Sequence, residues 1–243
     1  MGPANKGEII EKLQKQILSM QGFRETAAQG VNTGLGALEM AFPNSVFPTG
    51  AIHEFLSPAA EHAAATTGFM AGLLGRLVGQ TGICLWIGAR RTVFAPALKI
   101  FGIDPDQVIF IDLIREKDVL WTIEEALKCD AVSVVVGELN GITFTESRRL
   151  QLAVEQSKVT GLMHCFNPLK INHTTAVARW KITSLASIME EGMPGVGYPR
   201  WSVELLKIRN GKPGIWELEW SSGQFRNLDK PNPVVEIPFG RTA

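Results

Sequence analysis

The fold is decided by a short apolar stretch that leads through a loop into a helix-forming run, Gly50-Ala51-Ile52-His53-Glu54-Phe55-Leu56-Ser57-Pro58-Ala59-Ala60-Glu61-His62-Ala63-Ala64-Ala65-Thr66-Thr67. Strand, loop and helix in this order form the frame of a P-loop, whose functional version reads G-x-x-x-x-G-K-[ST]. There the Lys and the backbone N–H groups hold phosphates, and Ser or Thr reaches Mg²⁺. Here Pro58 lacks an N–H donor, Glu61 brings a negative charge, and the first Lys after Lys15 is Lys99. The stretch therefore predicts a P-loop frame without its phosphate chemistry.

Composition limits the classes of function. The 243 residues are 45% hydrophobic and 20% charged, which is typical of a globular protein of one or two domains. Lys+Arg and Asp+Glu both number 24, so long-range attraction to nucleic acid is weak and contact with DNA is expected to be indirect or local. Three distant cysteines indicate neither a disulfide framework nor a zinc site. No apolar run is long enough to cross a membrane, so the predicted location is cytoplasmic.

The order of apolar runs predicts an α/β fold. Five short strand-like runs alternate with helical patterns, which is typical of a parallel sheet flanked by helices. They span residues 51–56, 83–87, 108–111, 132–136 and 161–165. Later runs at 179–185, 200–209, 215–220 and 224–227 are joined by the turns Asn210-Gly211 and Ser222-Gly223, which favours antiparallel strands that extend the sheet.

Three regions are predicted along the chain. Residues 1–30 hold an amphipathic helix, with Ile9, Leu13, Ile17 and Met20 on one face, and a linker. Residues 31–228 form the core, and residues 229–243 form an extended Pro-rich tail. Such an apolar face usually belongs to a core, but it could also pair two copies of the chain as a homo-oligomer.

Several motifs resemble those of a known family. Val31-Asn32-Thr33-Gly34 and Pro48-Thr49-Gly50-Ala51-Ile52-His53-Glu54 resemble the entry to the RecA ATPase core. The closest match within that fold is to the ImuA family of DNA-damage mutagenesis proteins, which are related to RecA and also likened to the cell-division inhibitor SulA. It is carried by Trp86-Ile87, Phe101-Gly102-Ile103-Asp104-Pro105, Leu120-Trp121-Thr122-Ile123-Glu124-Glu125-Ala126-Leu127, Ser147-Arg148-Arg149-Leu150-Gln151-Leu152-Ala153 and Pro199-Arg200-Trp201-Ser202-Val203-Glu204-Leu205-Leu206-Lys207.

The resemblance implies that catalysis has been lost. Arg90 matches the position of the Glu that activates water in RecA-type ATPases, and a cation cannot accept that proton. Gly137 matches the acidic residue that Mg²⁺ needs, while Glu138, one place along, is expected to point to the other face of the sheet. We therefore expect a protein that is not an enzyme and needs no cofactor.

The resemblance also implies partners in damage-induced translesion synthesis. These are RecA, an inactive Y-family polymerase-like protein (ImuB) and an alternative replicative polymerase subunit, with the present chain as an adaptor. Six basic residues are the interface candidates: Lys207 and Arg209 of a K-x-R-N-G hairpin, Arg90 and Arg91 at the end of a parallel strand, and Arg148 and Arg149 at the start of a helix. For each of them, a solvated charge or a structural role is the alternative.

Two other functions stay open from the sequence. One is a RecA-fold ATPase that uses Thr66, Thr67 and an Arg in place of Lys. The other is a SulA-like inhibitor that binds the division protein FtsZ. Micromolar binding of ATP would favour the first, and suppression of FtsZ polymerisation would favour the second.

Overall fold

The strand–loop–helix frame predicted around the P-loop is present. A computed structural model describes residues 31–89, 93–168, 172–188 and 197–228, together with Leu13 and Gln16, two isolated helical positions. Strand β1 (Ile52–Ser57) is buried along its whole length, and helix α1 (Ala60–Val78) follows after two residues. The helix ends where Gly79 takes a positive φ of 63°, a conformation that glycine adopts at little cost.

In the described ranges the strands, numbered along the chain, form one nine-stranded sheet in the order β3-β2-β4-β5-β1-β6-β7-β8-β9. Along this spatial order, neighbouring strands are parallel from β3 as far as β6 and antiparallel from β6 to β9. The remaining bounds are β2 (Cys84–Gly88), β3 (Val108–Asp112), β4 (Val134–Leu139), β5 (Thr160–Phe166), β6 (Ala178–Leu185), β7 (Arg200–Ile208), β8 (Gly214–Ser221) and β9 (Gln224–Asn227). The predicted parallel sheet with an antiparallel extension is therefore confirmed, and it is consistent with a RecA-like fold.

Helices cover both faces of the parallel part. Helix α1 lies on one face, and α2 (Glu116–Leu127) and α3 (Phe144–Ser157) lie on the other. A capping box opens α3, since the Thr143 side chain accepts from the Glu146 N–H while the Glu146 carboxylate accepts from Thr143. Pro96 lies in the first turn of a 3-10 helix (Ala95–Phe101), which ends at Gly102.

Alternation along the strands creates two cores. Phe55 of β1 packs with Phe69 of α1 and Trp180 of β6, whereas Ile52 and Leu56 of β1 belong to the core under α2 and α3. Because successive side chains of a strand point to opposite faces, one strand that is buried along its whole length supplies both layers. The central strand β1 is therefore packed on both of its faces. The loop that takes the place of a P-loop begins after its last residue, Ser57.

The antiparallel strands are held against α1 by aromatic contacts. The ring centroids of Trp201 and Phe69 are 6.0 Å apart in an edge-on arrangement, and those of Phe225 and Phe69 are 5.3 Å apart. Trp220 joins Phe225 to Phe101, the last residue of the 3-10 helix. Both the C-terminal strands and the 3-10 helix are thereby fixed relative to the face of α1.

Candidate functional site

The loop after β1 uses its hydroxyl groups within the protein. Ser57 Oγ lies 2.9 Å from Thr66 Oγ1 on α1 and 2.8 Å from His164 Nε2 on the neighbouring strand β5. All three residues are buried, and burial lowers the pKa of His164 to about 3, so the imidazole is neutral near neutral pH. These three side chains therefore form an internal chain of hydrogen bonds, so the hydroxyls of Ser57 and Thr66 are already engaged within the protein.

The amino end of α1 has a carboxylate of its own in its first turn. Its N-cap is Ala59, which has no side-chain oxygen to accept from the first N–H groups. Glu61 lies in the first turn and is exposed, and a carboxylate there interacts favourably with the helix dipole. The negative charge that a phosphate would supply is thus supplied by the protein.

An apolar groove lies beside this loop. Its volume is about 660 Å³, and one wall is formed by small residues of α1, the other by the segment that contains the 3-10 helix. The lining residues are Ser57, Pro58, Ala59, Ala60, Ala63, Ala64, Thr67, Gly68, Ala71, Val93, Phe94, Ala97, Leu98, Phe101, Phe166 and Asn167. None of these described residues carries a charge, so none of them offers a cation to a triphosphate.

The acidic residue of β4 faces the same layer as α1. Glu138 Oε1 accepts a hydrogen bond of 2.9 Å from the indole of Trp86, and both side chains are buried. Gly137 lies on the opposite face, where an added Cβ would meet Ile123 of α2. Across residues 31–89, 93–168, 172–188 and 197–228, no group of three or more His, Cys, Asp or Glu is arranged to hold a metal ion.

Lys207 and Arg209 both reach the segment between β5 and β6. Lys207 Nζ donates to the carbonyl oxygen of Thr174 at 2.8 Å, and Arg209 Nη2 donates to that of Thr175 at 3.0 Å. Asn210, at a φ of 58°, and Gly211 form the turn that follows β7, as the Asn-Gly pair predicted. The structure therefore brings these two interface candidates together.

The other candidates lie elsewhere. Arg148 and Arg149 are exposed on α3, and Arg149 forms an ion pair with Glu124 of α2. Arg90 and Arg91 fall outside the described residues, so their assignment to the general-base position and to an interface stays a prediction.

Sequence reasoning missed a buried ionic cluster beneath Lys207. Glu54 Oε2 on β1 accepts from Arg179 Nε at 3.0 Å and Nη2 at 2.9 Å, and from Thr174 Oγ1 at 2.7 Å. Arg179 Nη2 also donates to the carbonyl oxygen of Asn172 at 2.6 Å. The signal was a Glu in the middle of an apolar strand, because a fully buried carboxylate needs a cationic partner.

Comparison with known proteins gives one consistent result. No family model matches the chain. The protein ImuA of Caulobacter vibrioides, in strains NA1000 and CB 15, is 28% identical over 212 residues, which cover 82% of this chain and 87% of the relative. This similarity extends over most of both proteins and supports the ImuA family that the motifs predicted. Among the described residues, no helix combines the length and apolar character that a membrane crossing requires.

Proposed function

We propose that this chain, a member of the ImuA family, is a non-catalytic RecA-like adaptor in damage-induced mutagenesis. It acts in translesion DNA synthesis through contacts with other proteins, and nucleotide turnover has no part in its action. Two observations support the proposal. One is the similarity to the protein ImuA, and the other is the lack of charged groups among the described residues where a nucleotide would bind.

The observation that carries the proposal is that no described residue lining the groove at the end of β1 is charged. A triphosphate needs cations and backbone donors, whereas this groove is walled by alanines, phenylalanines and a leucine, with Glu61 beside it. Loss of a single catalytic group typically slows an enzyme by about 10²–10⁴-fold. The chain lacks the P-loop lysine, and the hydroxyls of Ser57 and Thr66 are already bonded to each other. Turnover at this site would need several such losses to be compensated at once.

Exposed apolar side chains at the same edge of the sheet support contact with proteins. Phe94 at the rim of the groove is 72% exposed. Ile114, which lines a second cavity of about 660 Å³ beside Glu138, is 98% exposed. Large apolar groups of this kind, when they are grouped at one edge, are typical of surfaces that bind another protein. Partners consistent with the family are an ImuB-type protein, RecA and an alternative polymerase subunit.

Two measurements test the proposal. Isothermal titration of the purified chain with ATP and Mg²⁺ should show no heat of binding, and phosphate release should equal that of buffer. Co-purification with the ImuB-type protein and with RecA from the same organism should show a stable complex with at least one of them. Micromolar ATP binding with hydrolysis would overturn the non-catalytic part, and absence of all association would overturn the adaptor role.

A further inference from the structure

Lys207 and Arg209 are two cations held close together at one end of β7. Lys207 lies in β7, and Arg209 follows the last residue of β7 with its N–H still bonded to the carbonyl oxygen of Val177. Two positions apart on an extended chain, their side chains project from the same face of the sheet. Their tips donate to the carbonyl oxygens of Thr174 and Thr175, which are consecutive residues. The same segment therefore fixes both positive groups before any partner arrives, which lowers the entropy cost of binding.

Neither cation forms an ion pair with a carboxylate in the described part of the chain. The carboxylate of Glu54 attracts Lys207 through its charge, but its hydrogen bonds go to Arg179 and Thr174. Arg179 stands directly opposite Lys207 in the pairing of β6 with β7. Burial, together with the like charges of Arg179 and Arg209, lowers the pKa of Lys207. The cluster thus holds three cations and one carboxylate.

Toward the residues that the structure describes, both cations also keep unused donors. A Lys ammonium has three N–H groups and an Arg guanidinium has five. In the described structure, each of these two side chains makes one hydrogen bond to the protein. An anion at this place could therefore accept several charge-assisted hydrogen bonds, which are about twice as strong as neutral ones.

The extent of the positive surface indicates the size of the anion. On the same strands, Lys181 is paired with Glu204 at 3.4 Å and Arg200 is paired with Glu219. These pairs bound the positive area along the strands, on the side away from the Asn210-Gly211 turn. Nucleic acid is bound by rows of cations that neutralise several phosphates, and the whole chain has a net charge of zero. A single carboxylate fits this area better than a nucleic-acid strand.

We propose that Lys207 and Arg209 form a receptor for one Asp or Glu side chain of a partner protein. The proposal rests on the adaptor function and names the chemistry of one contact. The carboxylate would lie between the ammonium and the guanidinium and would offset the repulsion within the cluster. Charge complementarity of this kind sets the specificity and rate of association.

The test distinguishes a role of the two charges in binding a partner from a role of the two side chains in holding the segment of Thr174 and Thr175. In the double variant Lys207→Gln/Arg209→Gln, each side chain keeps an N–H donor for the carbonyls of Thr174 and Thr175 but loses its charge. The matched control is Lys212→Gln/Arg226→Gln, which removes two charges at exposed positions. Binding to the ImuB-type protein and to RecA filaments from the same organism is measured by biolayer interferometry at low and high salt.

We expect the first variant to weaken binding by roughly tenfold or more at low salt, and high salt to reduce that difference. The control should bind as the wild type does, and a charge-preserving swap, Lys207→Arg/Arg209→Lys, should keep most of the affinity. Thermal denaturation of each variant shows whether the fold is retained. If the Gln variant is unstable, the swap is compared with Lys207→Met alone.

Distinct results separate the two proposals. If the wild type binds neither protein, the adaptor function fails. If the wild type binds and the folded Gln variant binds equally well, only the carboxylate receptor is overturned. If that variant loses affinity for single-stranded DNA while protein association is unchanged, a phosphate contact replaces the proposed carboxylate.

Discussion

The indole N–H of Trp180 donates to Nδ1 of His53 across 3.3 Å, deep in the core beneath α1. The other ring nitrogen, Nε2, lies 2.7 Å from the carbonyl oxygen of Pro48. Since Nδ1 accepts, Nε2 must carry the proton and donate to that carbonyl. The ring of Phe47 stacks on the imidazole at 4.4 Å. The site therefore holds one neutral tautomer of His53 and has no place for a second proton.

This contact predicts that the protein loses stability in mild acid. Burial lowers the pKa of His53 from 6.5 to about 4. Between these values the unfolded chain binds a proton that the folded chain does not, so stability falls as the pH decreases through this range. At about pH 5, His53 alone should reduce the free energy of unfolding by about 2 kcal/mol relative to neutral pH. Urea denaturation at both pH values measures this loss.

Two variants check the assignment of the pH effect. His53→Gln can still accept from Trp180 and donate to Pro48, so its stability should depend less on pH although it is lower at neutral pH. His173→Gln, at an exposed position, should leave the wild-type dependence in place. An equal pH dependence in the wild type and in His53→Gln would show that His53 is not responsible.

The buried ion pair between Glu54 and Arg179 predicts that removing Arg179 lowers stability much more than removing Lys181 of the same strand. Arg179→Met leaves a carboxylate that is 3% exposed without its cation, and such a loss typically costs about 3–5 kcal/mol of stability. Lys181→Met removes the cation of a half-exposed pair on the same strand and should change stability by no more than about 1 kcal/mol. Denaturant titration compares the two. Similar small changes in both would mean that Glu54 is reached by water.

The backbone of α1 at Gly75 lies close to the backbone of Phe101, so adding a side chain at Gly75 should destabilise the protein. A Cβ at Gly75 of α1 would collide with the backbone carbonyl oxygen of Phe101. Ala in place of Gly normally stabilises a helix interior by up to about 1 kcal/mol. Here Gly75→Ala should destabilise by about 1–3 kcal/mol, since the 3-10 helix must move away. Ala64→Gly, at an exposed position of the same helix, measures the propensity effect alone. A stabilised Gly75→Ala protein would contradict the contact.

Local patterns were sufficient to predict most of the fold. Each parallel strand is a short β-branched or apolar run between helical patterns, and Thr143 with Glu146 marked the start of α3. The helix at Pro96 was less predictable, because seven residues between Phe94 and Gly102 suit an α-helix and a 3-10 helix equally. Packing decides in favour of the 3-10 helix, because Phe101 contacts both Gly75 and Trp220.

The site was only partly predictable, since its contacts join distant segments. The absence of a P-loop lysine can be read directly from the sequence. The partners of the hydroxyls cannot, because Ser57 and His164 are 107 residues apart and meet only through the pairing of β1 with β5. In the same way, the carbonyls that hold Lys207 and Arg209 belong to a segment more than thirty residues earlier.

The two threonines of the loop helix should behave differently when each is replaced by valine. Thr66 is fully buried and bonded to Ser57, so Thr66→Val should cost about 1–2 kcal/mol of stability because a buried hydroxyl loses its partner. Thr67 lines the groove and is only half-buried, so Thr67→Val should change stability by about 0.5 kcal/mol or less. Urea denaturation measures both effects, and phosphate release from ATP is followed in parallel. An ATPase that used these hydroxyls would lose turnover in both variants. The groove predicts instead that the wild type has no turnover to lose, so hydrolysis by the wild type that either substitution abolishes would contradict this view of the site.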